Sequence, residues 1–311
     1  MKYFLITVDT EGDNLWSWRN GDVITTENSL YIPRFQSLCE KYSFIPTYLT
    51  NFEMACDMRW VKFANQKIAE NKCEVGMHIH AWNTPPYYEV KDLYGGNPYI
   101  TEYPISIMNE KIENLSSLLR KSFDCDITSS RSGRWSTNNE YFNSLVRNGY
   151  LIDCSVTPSV DMSCNKGCSV DKGPDYSFSP KTAYEVLPGL IEIPMSTRKV
   201  RWNSTGSLRH KLKSLVFGET LWLRPFKISY KYLETLSNTI LNEKETDYLE
   251  FMIHSSELMP GGSPYLKTSE DIEQLYNLME WYFEYINSLG FKGYSLSSYG
   301  KRWKINNEDL T

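Results

Sequence analysis

The stretch YFLITVDTEGD at residues 3 to 13 decides the fold, because an apolar run rich in aromatic and β-branched residues ends abruptly at Asp9. Such a run is the mark of a buried strand that reaches the edge of its sheet just where the acids begin. The pattern recurs as CEVGMHIH at residues 73 to 80, YLIDCSV at 150 to 156, TDYLEFMIH at 246 to 254 and KGYSLSS at 292 to 298. Between these runs the period lengthens to that of a helix. Val61, Phe63, Ala64 and Ile68 predict one helix, and Ile112, Leu115, Leu118 and Leu119 a second. Thr137 and Glu140 form a capping box for a third, carrying Phe142, Leu145 and Val146 and closed by Gly149. Ile272, Leu275, Leu278, Met279 and Tyr282 mark a long fourth, ended by Gly290. Strands alternating with helices predict an α/β fold whose mostly parallel sheet closes, or nearly closes, into a barrel. The Pro- and Gly-rich clusters at 85 to 98 and 259 to 264 read as loops, and no linker or internal repeat interrupts the chain, so residues 1 to 311 are expected to form a single domain.

Composition narrows the class. A hydrophobic fraction of 41%, aromatic 14% and charged 23% is that of a globular protein, and a net charge of -5 argues against a nucleic-acid binder. Seven cysteines, an odd number spread through the chain, do not make a disulfide framework and suggest free thiols in a reducing compartment. Cys164 and Cys168 lie close together but lack the second ligand pair of a structural zinc site. The apolar opening is too short for a secretory leader, and no run is long enough to span a membrane, so a cytoplasmic protein is expected.

The unusual residues fall at the ends of the strands. Of four histidines, His78, His80 and His254 sit at the carboxyl ends of predicted strands, as does Asp9. In barrels of this kind the loops after the strands build the active site, so acids and histidines placed there are candidates for chemistry. His78 and His80 alternate along one strand and project to the same side, roughly 6 to 7 Å apart, within reach of one metal. Asp9 and Glu11 repeat that spacing, with Asp13 continuing it unless Gly12 bends the chain. Two carboxylates beside two imidazoles make a divalent site with a position left for water. Core histidines bonded to backbone and a solvated acidic turn are the bland alternatives. His254, followed by a Gly-Gly-Ser-Pro loop, suits a proton donor at the mouth of a pocket, and Arg131 and Arg134 around Gly133 could orient a carboxylate or bind an anionic part of a substrate.

Taken in order, TVDTEGD, EVGMHIHAW, SRSGRWS, DCSV and MIHSSEL resemble the five motifs of the polysaccharide deacetylase superfamily, the NodB-like carbohydrate esterases of family 4, and IPTYLTN resembles the apolar segment that follows the first motif there. The resemblance covers most of the chain. It implies a distorted (β/α) barrel holding one divalent ion, most often zinc, with cobalt, nickel, manganese or iron as alternatives. It also implies Asp9 as catalytic base, Glu11, His78 and His80 as metal ligands, Arg131 as the group that orients the base, and His254 as general acid. Trp82, Arg134, Trp135 and Asp153 would line the substrate. Two features depart from the common pattern: Trp82 stands where the second histidine usually lies, so that His80 substitutes, and Thr10 separates two acids that are usually adjacent. Whether Asp9 or Glu11 is the metal ligand therefore stays open. The pattern is closest to a subgroup associated with surface-polysaccharide gene clusters.

The expected reaction is removal of an acetyl or similar acyl group from an amide nitrogen on a sugar. A deformylase or other amide hydrolase, and a barrel that binds carbohydrate without turnover, are the competing readings. Residues 198 to 231 carry nine Lys or Arg and one acid, Glu219, interleaved with Trp202, Phe217, Trp222 and Phe226. Such a stretch suits an anionic partner: a nucleotide-linked or lipid-diphosphate-linked sugar, or a peripheral contact with the membrane surface. A basic, solvated helix face is the plainer explanation. The oligomeric state is not legible.

Overall fold

The computed structural model describes residues 1–19, 21–202, 207–225 and 229–308. Strand β1 (Tyr3–Thr10) is followed by helix α1 (Ile32–Lys41), β2 (Pro46–Thr50), α2 (Phe52–Cys56), α3 (Met58–Ala69) and β3 (Glu74–Ile79). Helix α4 (Ile105–Ser122), β4 (Ser129–Ser132), α5 (Asn139–Arg147) and β5 (Ile152–Asp153) complete the first half. A hairpin of β6 (Tyr184–Leu187) and β7 (Leu190–Glu192) leads to β8 (Thr197–Val200), α6 (Leu208–Phe217) and β9 (Glu219–Trp222). The chain ends with α7 (Tyr230–Glu243), β10 (Tyr248–His254), α8 (Ser269–Ser288), β11 (Lys292–Tyr294) and α9 (Leu296–Glu308).

The main sheet runs β10-β1-β2-β3-β4-β5-β7-β6 with β11 beside β1, and every pairing is parallel except β6 with β7. No ladder joins β7 to β10 directly. Residues 193 to 197 and Leu223 fill that seam: Leu223 N–H donates to Ser196 O (2.9 Å), Met252 N–H donates to Leu223 O (3.0 Å), and the Tyr248 hydroxyl donates to Pro194 O (2.6 Å). The result is the distorted, mostly parallel (β/α) barrel expected from the order of runs.

Side-chain alternation divides the strands into two environments. Phe4, Ile6 and Val8 of β1 pack outward with Trp60, Leu115 and Phe283 of the helical layer, while Tyr3 and Leu5 join Leu49, Ile152, Ile193 and Tyr248 inside the barrel. Helix α9 plugs that lower end with Leu296 and Tyr299. Each large apolar side chain so buried contributes about 1.5–3 kcal/mol, which fixes the strand register against slippage. Further along β1 the same inward parity places Thr7, then Asp9, so the interior turns from apolar to polar towards the carboxyl ends of the strands.

Three local expectations change. Helix α5 is capped by Asn138, whose side chain accepts from Tyr141 N–H (2.8 Å), because Thr137 Oγ1 is engaged by the Tyr176 hydroxyl (3.0 Å). KGYSLSS is a strand only to Tyr294; Ser297 N–H and Oγ then donate to Glu74, Leu296 N–H donates to Thr47 Oγ1, and helix α9 starts. YLIDCSV contributes only Ile152 and Asp153 to the ladder: Cys154 N–H still donates to Ser130 O (3.0 Å), but Ser132 N–H donates to the Ser155 side chain rather than its backbone (2.9 Å), and Val156 bonds across to Glu192 and Met195.

Candidate active site

Register brings the functional side chains together. Asp9 on β1 pairs with His254 on β10, and His78 on β3 pairs with Arg131 on β4, so all four stand at the carboxyl end of the barrel. Glu11 and His80 follow immediately after their strands. The backbone of Glu11 is pinned there: its N–H donates to Ser255 Oγ (3.1 Å) and its carbonyl accepts from Asn28 Nδ2 (2.7 Å). Asp13 does not continue the row. Its carboxylate turns away to accept from Thr25 Oγ1 and from Asn28 N–H, because the chain bends at Gly12, where a Cβ would strike Ile24.

Among the described residues one cluster has the donor set for a shared cation: Glu11, His78 and His80. Glu11 Oε2 lies 2.7 Å from His80 Nε2 and 3.3 Å from His78 Nε2, and the two Nε2 atoms are 2.9 Å apart. The rings themselves are closer than strand spacing suggested, 4.6 Å between centroids, because they meet edge to face. His78 Nδ1–H donates to the Arg131 carbonyl (3.2 Å), which leaves Nε2 as a lone pair aimed at two other acceptor atoms. Three acceptors converging on one point need a proton or a cation between them, and one carboxylate with two imidazoles is a zinc-type donor set. Burial pushes the Glu11 carboxyl up, but His80, then His78, outweigh it and hold the group well below its ordinary value. Burial, opposed by Glu11, lowers the His80 imidazole and favours its neutral, ligating form.

Asp9 is held separately. Arg131 Nη1 donates to Asp9 Oδ1 (2.6 Å), Nη2 donates to Glu250 Oε1 (2.5 Å) and Thr7 Oγ1 (3.1 Å), and Nε donates to Cys154 O (3.1 Å). Against burial, Arg131 foremost, then His78 and His254, keep the Asp9 carboxyl below its ordinary value, so it is ionised. Its Oδ2 stays 3.9 Å from both His78 Nε2 and His254 Nε2, facing the cleft. Glu250 went unnoticed in sequence although it shares the inward parity of His254 on an otherwise apolar strand.

His254 is tied from behind. Glu257 Oε2 accepts from His254 Nδ1 (3.1 Å) and from its N–H (3.0 Å), while Arg224 Nη2 donates to both Glu257 oxygens (2.8 and 2.9 Å). Burial lowers the imidazole, but Glu257 and the nearby Glu11 overcome it and raise His254 above its ordinary value. Nε2 therefore points at the cleft carrying a proton over a wider pH range than a free histidine. Arg224 and Glu257 gave no signal in the sequence, since the irregular segment around Leu223 alone brings Arg224 here.

The cleft these groups line has a volume of about 320 Å³ and includes Leu15, Trp16, Trp82, Arg134 and Trp135. A larger space of about 840 Å³, lined by Trp18, Tyr87, Tyr88 and Tyr103, shares Trp82 and Asn97 with it. Trp135 stacks on Arg131 (4.8 Å) and meets Trp222 edge-on (5.4 Å). Arg134 and Trp135 adopt φ of 57° and 61°, which turns Arg134 aside: it donates to Asn97 O, to Lys166 O (2.8 Å) and to the Tyr99 hydroxyl (3.1 Å), so its guanidinium is spent on holding loops. Asp153 is not in the cleft. It is buried below, accepting from Ser130 Oγ (2.8 Å), Tyr141 OH (3.3 Å) and Ser155 N–H (3.0 Å). Of the basic stretch, Arg198 is buried against Glu243 (2.6 Å), and Phe226 lies outside the described residues.

No family model matches this chain, nor does any curated protein. Solved structures do. The 4-alpha-glucanotransferase of Thermococcus litoralis superposes with a TM-score of 0.50 at 14% identity, over 96% of this chain and 38% of its own length. The Xyl-CE4 domain of a multidomain xylanase from the hindgut metagenome of Trinervitermes trinervoides gives 0.46 at 12% identity, covering 97% and 91%. A mutant of a peptidoglycan deacetylase from Bacillus subtilis gives 0.44 at 10%, covering 99% and 95%. The chain thus spans well under half of the glucanotransferase, and at such identity the likeness is one of fold alone.

Proposed function

We propose that this protein is a metal-dependent carbohydrate N-deacetylase of the polysaccharide deacetylase superfamily, acting on an N-acylated sugar in surface-polysaccharide synthesis. One observation carries the reading: a Glu-His-His donor set, an arginine-held carboxylate and a carboxylate-held histidine face one cleft from the same end of a barrel. Glu11, His78 and His80 would hold the cation, most simply zinc. When bound, it supplies Lewis acidity that polarises the amide carbonyl and acidifies water.

The chain's own groups then divide the proton work. Asp9, with Oδ1 committed to Arg131, accepts the proton of the attacking water at Oδ2. His254, protonated and braced by Glu257 at Nδ1, donates from Nε2 to the amide nitrogen as the C–N bond breaks, releasing the acid and a free sugar amine. Trp82, Trp135 and Trp16 wall the cleft with ring faces and edges suited to a pyranose, and the adjoining aromatic pocket has room for a further sugar or a diphosphate-linked group. All seven cysteines are free, which suits a reducing, cytoplasmic setting.

The test is turnover of a panel of N-acetylated and N-formylated sugar nucleotides and lipid-linked sugars, with and without chelator, following acetate and formate separately. Acetate release that chelation abolishes and a divalent ion restores is the expected result. Formate release alone would move the substrate class, and full activity after chelation, or in both His78→Ala and Asp9→Asn, would refute the assignment.

A further inference from the structure

Helix α6 turns the wrong side outward for a helix of a barrel. Among the described residues its inward side is anchored chiefly by Ser214, whose hydroxyl donates to Trp202 O (3.0 Å), and by His210, 3.5 Å from Glu219. Leu208, Leu212, Leu215 and Val216 recur at spacings of three and four, so they form one stripe about a third of the helix circumference wide. These four side chains are 75%, 55%, 45% and 55% exposed, and Phe217 adds 66% at the end of the helix. Arg209 and Lys211 flank the stripe on either side, with exposed Lys199 and Arg201 nearby; the Lys199 stem runs beside Gly218, where α6 ends. The one acid of residues 198 to 225, Glu219, is taken by Trp202 Nε1 (3.1 Å) and His210 (3.5 Å). Among the described residues none of those four cations has a carboxylate partner.

We propose that α6 seats this protein on an anionic phospholipid surface, lying in the plane of the interface with its leucine stripe among the acyl chains and Arg209, Lys211, Lys199 and Arg201 against the headgroups. An apolar stripe edged on both sides by cations, on a chain whose net charge is -5, is complementary to such a surface. A second copy docked symmetrically would instead set the same cations against each other. No helix among the described residues is long and apolar enough to cross a membrane, so the contact is peripheral. From Gly218 the chain passes through β9 to Trp222, against Trp135, and to Arg224, against Glu257. Six residues, 218 to 223, therefore separate the docking helix from Arg224 in the lining of the catalytic cleft.

The experiment is co-sedimentation of the full chain with vesicles of phosphatidylcholine alone and of phosphatidylcholine mixed with phosphatidylglycerol. Binding to the anionic vesicles is expected to exceed binding to the neutral ones roughly tenfold and to weaken on raising salt to about 0.5 M. Leu212→Glu combined with Val216→Glu, and separately Arg209→Glu, should each lower it roughly tenfold while circular dichroism and the unfolding midpoint stay unchanged. Equal binding to both vesicle types, undiminished binding by the variants, or lipid-free self-association that Leu212→Glu abolishes would overturn the proposal. No turnover is read, so the outcome is independent of the proposed reaction.

Discussion

Replacing Glu250 by Gln should change how stability depends on pH more than it changes stability itself. Glu250 is wholly buried, with Oε1 shared by Arg131 and Thr7 and Oε2 without a partner. Burial pushes its carboxyl up to about 7 against the pull of Arg131, from an ordinary 4.5. The folded chain then holds this proton more tightly than the unfolded one, so its contribution is complete below about 4.5 and is lost as pH rises through about 7. At about 1.4 kcal/mol per pH unit the full loss is about 3 kcal/mol. A glutamine mimics the protonated acid and cannot ionise, so Glu250→Gln lacks the loss; any fixed difference in packing shifts its curve without altering the slope. Urea unfolding of both proteins at about pH 5 and pH 8 should show the wild type losing about 2–3 kcal/mol more than the variant over that interval. Parallel curves would refute the reasoning and show Glu250 to be ionised throughout as a full partner of Arg131.

Other outcomes follow from the same contacts. Glu257→Gln removes the negative charge that helps raise His254, so the fall of kcat/KM with increasing pH should move to lower pH, and His254→Ala should cost roughly 10²–10⁴ in kcat. Gly133→Ala places a methyl 2.8 Å from Ile79 O and 3.1 Å from the His80 ring; divalent-ion affinity, measured by calorimetry, should weaken roughly tenfold. Gly76→Ala, whose Cβ would meet Leu49 and Ser129 away from the site, should lower stability by about 1–3 kcal/mol and leave metal affinity unchanged. Glu11→Ala should purify with little bound metal yet keep its fold, checked by elemental analysis beside circular dichroism.

The barrel was legible because β1, β3 and β10 are largely apolar runs and the long helices carry a clean stripe, whereas β4, with the sequence SSRS, has no such run to read. Legible too were the ends of β1, β3 and β10, where an acid or histidine interrupts each run. The groups that brace the site were not. Glu250 left a trace, an acid at inward parity in an apolar strand, whereas Arg224 reaches His254 from the seam between β7 and β10, which has no periodicity to read. Arg134 shows the converse. Its spacing from Arg131 suggested joint action, but a left-handed backbone at 134 and 135 sends the two guanidinium groups apart. Asp153 misled for a similar reason: its position in a motif said nothing of depth, and depth gave its carboxylate to Ser130, Tyr141 and Ser155.

Asp9 stands level with His254, and His78 with Arg131, across neighbouring rungs of the central ladder. Groups rooted in that way separate only when the rungs themselves part, and these are the last to open in a molecule whose rim frays first. Their amides should be among the slowest to exchange with deuterium, while those of α6 exchange early. Warming would then shed the periphery without scattering the reacting atoms, and catalysis would survive until the sheet melts.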